Sequence, residues 1–67
     1  MDFVTGVQAQ LDAHNEVRRF NVAANLEDET IVLTGMVPTY YMKQMAGEIA
    51  MRFLGDRCRV SNKVMVQ

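Results

Sequence analysis

The stretch that decides the fold is residues 20–37, FNVAANLEDETIVLTGMV. On both sides of its acidic tripeptide, Glu27-Asp28-Glu29, apolar side chains occupy every second position. A period of two is typical of a β-strand that buries one face. The stretch therefore predicts two strands, Phe20–Leu26 and Thr30–Val37, joined as a hairpin by a short acidic turn.

The flanking segments predict two helices and one more strand. Asp2 is a suitable N-cap for a helix that runs to His14 and stops at Asn15, and its apolar residues recur every three or four positions. Pro38 ends the second strand, and a broad apolar stripe predicts a second helix over residues 39–54, with Gly55 as its C-cap. Alternation returns over residues 57–66, which predicts a third strand.

The order helix, strand, strand, helix, strand predicts an α+β fold in a single domain, residues 1–67. Each strand has one apolar face and each helix one apolar stripe, so both helices are expected on one face of a three-stranded sheet. The hairpin makes the first two strands antiparallel, and a right-handed crossover through the second helix makes strands two and three parallel. We therefore expect a two-layer sandwich with a mixed sheet.

Composition argues against an enzyme and against a metalloprotein. The 67 residues contain one histidine and one cysteine, too few for a metal site or for a nucleophile with its base, so no catalytic residue, metal or cofactor is predicted. No apolar run approaches the roughly 20 residues of a membrane span. The net charge of −1 hides an uneven distribution, net −4 over residues 1–34 and net +3 over residues 35–67. The second half can therefore present a local positive face.

The ordered set of motifs resembles the BON domain, a small module of bacterial osmotic-stress and nodulation proteins. Residues 31–37, IVLTGMV, are similar to the family's apolar-x-Leu-x-Gly-x-Val strand, and residues 38–50 match its Lys- and Ala-bearing helix. Gly55 followed by residues 60–66, VSNKVMV, is similar to the family's final strand. Two departures are an acidic hairpin turn in place of a Gly-containing one and one extra residue between Gly55 and Asn62, which we expect to form a bulge.

The resemblance implies a non-enzymatic module that associates with phospholipid membranes, often within a larger cell-envelope protein. It implies the same αββαβ order as the residues themselves. A periplasmic or envelope location would need an export signal, and none is visible in this chain, so the compartment stays open. The lipid headgroup and the oligomeric state are also not fixed by the sequence.

The candidate binding surface is the sheet face that carries no helix. It is predicted to hold four cations and several apolar side chains: Arg19, Arg57, Arg59, Lys63, Val32, Met36 and Met65. Such a face suits anionic lipid headgroups. Two alternatives stay open, a solvated polar face and a contact with another protein domain or a second copy through this face or an edge strand. Because the face has no aromatic residue, RNA binding is not expected.

Four further residues have mainly structural interpretations. Gly35 is expected on the inward face of strand two, where a helix side chain packs over it, with a ligand contact as the lesser alternative. Asn62 interrupts an apolar face and is expected to bond backbone in a loop or at a helix end, again with ligand contact as the alternative. His14 is expected to be packed or solvated rather than catalytic, and Cys58 to be a small buried hydrophobe rather than a redox sensor.

Overall fold

The computed structural model describes residues 2–67 as a two-layer α+β domain. The elements in chain order are α1 Phe3–Ala13, α2 Asn15–Arg18, β1 Ala23–Glu27, β2 Thr30–Thr34, β3 Met36–Val37, α3 Tyr40–Leu54, β4 Arg59–Asn62 and β5 Met65–Val66. The main sheet has the strand order β1-β2-β4, with β1 antiparallel and β4 parallel to β2. The predicted three-stranded mixed sheet is confirmed.

The short strands β3 and β5 continue the parallel ladder of β2 and β4. Partners differ by 29 in residue number in both pairs of strands, as in Leu33 with Asn62 and Met36 with Met65. Between them, the amides of Lys63 and Met65 donate to the carbonyls of Leu33 and Gly35 at 2.9 and 2.8 Å. The register is therefore the same on both sides of the interruption. Side chains that share a face in β2 and β4 continue on that face in β3 and β5.

Gly35 marks the interruption, for a reason that differs from the predicted one. Its φ is +142°, which disfavours any residue with a side chain, and a Cβ there would lie 3.3 Å from Cα of Val22. The chain that covers Gly35 is thus the backbone leading into β1, and the expectation of a helix side chain was wrong. The glycine lets this backbone approach the junction of β2 and β3.

The core lies between the sheet and the two long helices. Val7 and Leu11 of α1 are fully buried, as are Ala46, Ala50 and Leu54 of α3. The helices touch where Gly6 faces the ring of Phe53, because a Cβ at Gly6 would lie 2.6 Å from Phe53 Cε2. The glycine that weakens α1 by helix propensity is therefore what lets α3 pack closely against it.

The predicted caps of α1 and α3 are both present. The Oδ2 atom of Asp2 accepts a 2.7 Å hydrogen bond from the Thr5 hydroxyl, and its Oδ1 atom accepts one of 3.0 Å from the Val4 amide. These bonds, that of the Thr5 hydroxyl foremost, lower the pKa of Asp2. At the end of α3, Gly55 adopts φ +61° and donates its amide to the Met51 carbonyl at 2.8 Å, so its predicted C-cap role is confirmed.

The segment between α1 and β1 departs from prediction. Asn15 does not stop a helix; it begins the short α2, which buries Val17. The left-handed residue is instead Asn21, with φ +53°, and β1 starts only at Ala23. Phe20 contacts the core from the turn before β1, so its apolar spacing reflects burial and not membership of a strand.

The hairpin turn is a two-residue loop. Asp28 and Glu29 both have positive φ, +48° and +61°, which is the pattern of a type I′ turn. This turn matches the twist of the flanking strands and normally favours Asn-Gly or Asp-Gly. The chain therefore forms the usual hairpin geometry with an unusual residue, Glu29, at the second turn position.

Candidate binding face

Of the seven residues predicted for the binding face, Arg59, Lys63, Met36 and Met65 lie exposed on one face of the sheet. We define the outer face as the side chains of Thr34, Met36, Arg59, Ser61, Lys63 and Met65, which point away from the helices by strand alternation. Arg59 and Lys63 are exposed on it. The constant register carries these cations on the same side of the ladder as Met36 and Met65.

The two methionines form a cross-strand pair at one end of the outer face. Met36 and Met65 are direct partners in the parallel β3–β5 pairing. Their exposed fractions are 47% and 62%, whereas the neighbouring Val37, which points the other way, is buried. The pair therefore presents flexible apolar side chains to solvent beside Lys63.

The cations of the outer face are free of intramolecular ion pairs. Within residues 2–67 the ion pair found joins Arg52 and Glu48 of α3, at 3.7 Å. Neither Arg59 nor Lys63 reaches an acidic side chain of the described residues. No ion pair among these residues therefore holds either charge, although Asp28, Glu29 and Asp56 line the same cavity as Arg59.

Arg57 does not belong to this face, and that prediction was wrong. It precedes β4, in the loop that follows α3, and its guanidinium donates to the carbonyls of Leu54, at 3.0 Å, and Phe53. The same group lies 5.5 Å from the ring centroid of Phe3 and 5.6 Å from that of Phe53. Arg57 therefore caps the C-terminus of α3. The extra residue before Asn62 lies in this loop and forms no bulge in the strand.

Arg19 was also misplaced, whereas Val32 lies on the predicted face but is buried. Arg19 follows α2 and belongs to no strand, and its guanidinium lies 6.0 Å from the ring of Phe20. Val32 does lie on the outward side of β2, but it is only 5% exposed between Asn25 and Ser61, its partners in β1 and β4. On a central strand, the neighbouring strands on both sides shield a small side chain from solvent even where no helix covers it.

Asn62 makes the backbone hydrogen bonds that were expected of it. Its amide nitrogen donates to the Lys43 carbonyl in α3 at 2.8 Å, and its Oδ1 accepts from the Val64 amide at 3.2 Å. A Cβ at Gly47 would lie 2.8 Å from Asn62 Nδ2. Asn62 thereby ties the edge of the sheet to the helix above it, and its amide is already satisfied by protein groups.

Cys58 takes a different position from the one expected, whereas His14 is packed at the end of the first helix as expected. Cys58 precedes β4 and is only partly buried, with its thiol donating to the Glu29 carbonyl at 3.3 Å; it is a loop residue and not an inward strand residue. His14 lies between α1 and α2 beside a groove that Tyr41 also lines. Its Nδ1 atom is buried without a hydrogen-bond partner among the described residues. Tyr41, in the first turn of α3, is exposed.

A groove between α3 and β4 was missed by the sequence reasoning. Its volume is about 390 Å³, and it is lined by Gln44, Gly47, Glu48, Met51, Val60 and Asn62. The four helical residues recur at i, i+3, i+4 and i+7, which is one stripe of α3. The one feature of the sequence that distinguishes this stripe is the apolar Met51, and the structure leaves that side chain 49% exposed.

Comparisons with known proteins add no assignment. No family model matches the chain, and no curated protein matches it. Among residues 2–67, no helix has the length and apolar character to cross a membrane, and no three histidine, cysteine, aspartate or glutamate side chains cluster as a metal site would require.

Proposed function

We propose that this domain is a non-enzymatic module that attaches its parent protein to anionic phospholipid surfaces through the outer face. The observation that carries the proposal is the joint exposure of two unpaired cations, Arg59 and Lys63, beside the Met36–Met65 pair. Anionic headgroups attract such cations, and methionine side chains enter the boundary between headgroups and acyl chains. The resemblance to BON domains supports the same function.

The expected attachment is weak and reversible. Each basic residue near an anionic membrane contributes about 1 kcal/mol, so the two cations of the outer face supply about 2 kcal/mol. Burial of the methionine side chains adds to this in proportion to the area removed from water. A second membrane-binding module in the parent protein would raise the affinity through effective concentration.

Co-sedimentation with vesicles tests the proposal. The domain should bind vesicles rich in phosphatidylserine or phosphatidylglycerol and not purely phosphatidylcholine vesicles. Binding should weaken as salt rises, since exposed charges are screened over about 8–10 Å near physiological ionic strength. Absence of binding to anionic vesicles, or binding that salt does not affect, would contradict the proposal.

Two pairs of variants separate the outer face from the rest of the surface. Arg59→Glu with Lys63→Glu should abolish vesicle binding. The matched control, Arg18→Glu with Arg19→Glu, makes the same charge change at exposed residues away from the sheet and should retain most of the binding. Equal losses in the two double variants would show that net charge, and not this face, governs association.

A protein-interaction function is favoured by a different observation. β4 lies at an edge of the main sheet, next to the groove lined by Met51 and Val60. An edge strand beside a groove is a recurrent site for protein segments.

A further inference from the structure

The two edges of the main sheet differ in how freely they can pair with an added strand. At the β1 edge, the side chain of Gln8 from α1 donates to the Val22 carbonyl at 3.0 Å and accepts from the Ala24 amide at 2.9 Å. These are two of the bonds that a neighbouring strand would make. The Gln8 carboxamide therefore occupies the start of the β1 edge and obstructs a further strand there.

The β4 edge carries main-chain groups that face outward. Lys63 and Met65 point their amides toward β2 and β3, and strand alternation places Ser61 on the same side. Val60 and Asn62 therefore direct their main-chain groups away from the sheet. The next outward amide, that of Val64, is taken by Asn62 Oδ1. The free edge is thus a short segment centred on Val60.

The groove along α3 borders this free edge on its inner side. Met51 and Val60 give it apolar walls, while Glu48 adds a carboxylate. On the opposite side of the same edge, Arg59 and Lys63 project from the outer face. A strand laid beside β4 would alternate its side chains between the groove and these cations.

We propose that β4 binds an extended peptide segment in which acidic residues alternate with apolar ones, added as a fourth strand. Acidic side chains on the outer side would oppose Arg59 and Lys63, and opposite charges across neighbouring strands stabilise the pair. Apolar side chains on the inner side would enter the groove, where Glu48 disfavours a second carboxylate. The inference shares Arg59 and Lys63 with the proposed lipid site but does not require that the domain binds lipid.

Charge disfavours a second copy of this chain in one register of strand pairing. When β4 pairs antiparallel with another β4 about Ser61, Arg59 of each copy faces Lys63 of the other. Like charges directly opposite each other destabilise strand pairing. At the other edge, Gln8 occupies the start of β1 in every copy.

The test uses a blocked nine-residue peptide that alternates glutamate and valine, titrated into ¹⁵N-labelled domain. The expected result is shift changes and slowed hydrogen exchange at the amides of Val60 and Asn62, with smaller changes at Met51. A peptide with lysine for each glutamate, and one N-methylated at alternate residues, should bind at least about tenfold more weakly. No binding at about 1 mM peptide, equal binding of the N-methylated peptide, or changes centred elsewhere would each overturn the proposal.

Variants distinguish this site from the proposed lipid site. Met51→Glu should abolish peptide binding and leave vesicle binding unchanged, because Met51 lies on α3 behind the outer face. Met36→Thr with Met65→Thr should abolish vesicle binding and leave peptide binding unchanged. A thermal melt of each variant checks that the fold is retained. If Met51→Glu leaves peptide affinity unchanged while the fold is intact, the groove is not the binding site and the proposal fails.

Discussion

The carboxamide of Asn62 fills the space that a side chain at Gly47 would occupy. A Cβ at Gly47 would lie 2.8 Å from Asn62 Nδ2, and this nitrogen donates to the carbonyl of Lys43, one turn earlier in α3. A glycine in mid-helix normally costs about 1 kcal/mol relative to alanine. Here it is required, because the polar side chain of the edge strand must reach the helix backbone.

Gly47→Ala is therefore expected to destabilise the domain although it improves helix propensity. The added methyl group displaces the Asn62 amide from Lys43 and leaves buried polar groups without partners, which costs about 1–3 kcal/mol. Urea denaturation followed by circular dichroism measures the effect. In an Asn62→Ala background the same substitution should become neutral or stabilising by up to about 1 kcal/mol. A cost that is equal in both backgrounds would show that Asn62 is not the reason for the glycine.

Removal of the Arg57 side chain is expected to reduce stability, whereas removal of the Arg59 side chain is expected to reduce vesicle binding. Arg57→Ala should destabilise the fold by roughly 1–2 kcal/mol, since it removes a helix cap and two cation–π contacts. Arg59→Ala, on the exposed outer face, should change stability by no more than about 0.5 kcal/mol and weaken vesicle binding instead. Chemical denaturation and co-sedimentation of both variants measure the two effects. If Arg59→Ala proves the more destabilising of the two, the assignment of roles is reversed.

Glu29→Gly is expected to stabilise the domain. Glu29 holds φ at +61°, where a residue with a side chain costs about 1–2 kcal/mol that glycine avoids. Part of this gain is lost to the greater entropy of unfolded glycine, leaving about 0.5–1 kcal/mol. Asp28→Gly is the control: aspartate tolerates this conformation better, so the gain there should be smaller. A lower melting temperature for Glu29→Gly would contradict the type I′ assignment.

The fold could be predicted from sequence because its periodicities are clear. Alternation in residues 30–37 and 59–66 and the stripe of α3 fixed the layers and the parallel pairing. The segment before β1 could not be predicted. Phe20 and Val22 contact the core from outside the strand, but their spacing is the same as that of alternate residues in a strand. Propensity alone does not separate these two cases.

The candidate site was predictable only in part. Strand register brought Arg59, Lys63, Met36 and Met65 to one face, as alternation indicated. Arg57 does not lie on this face because β4 begins two residues later than expected. Its guanidinium instead contacts helix carbonyls and aromatic rings. The groove beside β4 depends on how α3 packs against the edge strand, and within residues 44–51 only the apolar Met51 indicates it.

The Gln8 side chain makes the two edges of the sheet unequal, because it occupies main-chain groups at the start of β1. A strand that joins β4 therefore meets a partly blocked edge on the far side of the same sheet, which disfavours the addition of further segments. Open sheets with two free edges can instead propagate into fibres, each molecule templating the next. A glutamine on the first helix thus leaves the β4 edge available for binding while it disfavours open-ended assembly of the domain through β1.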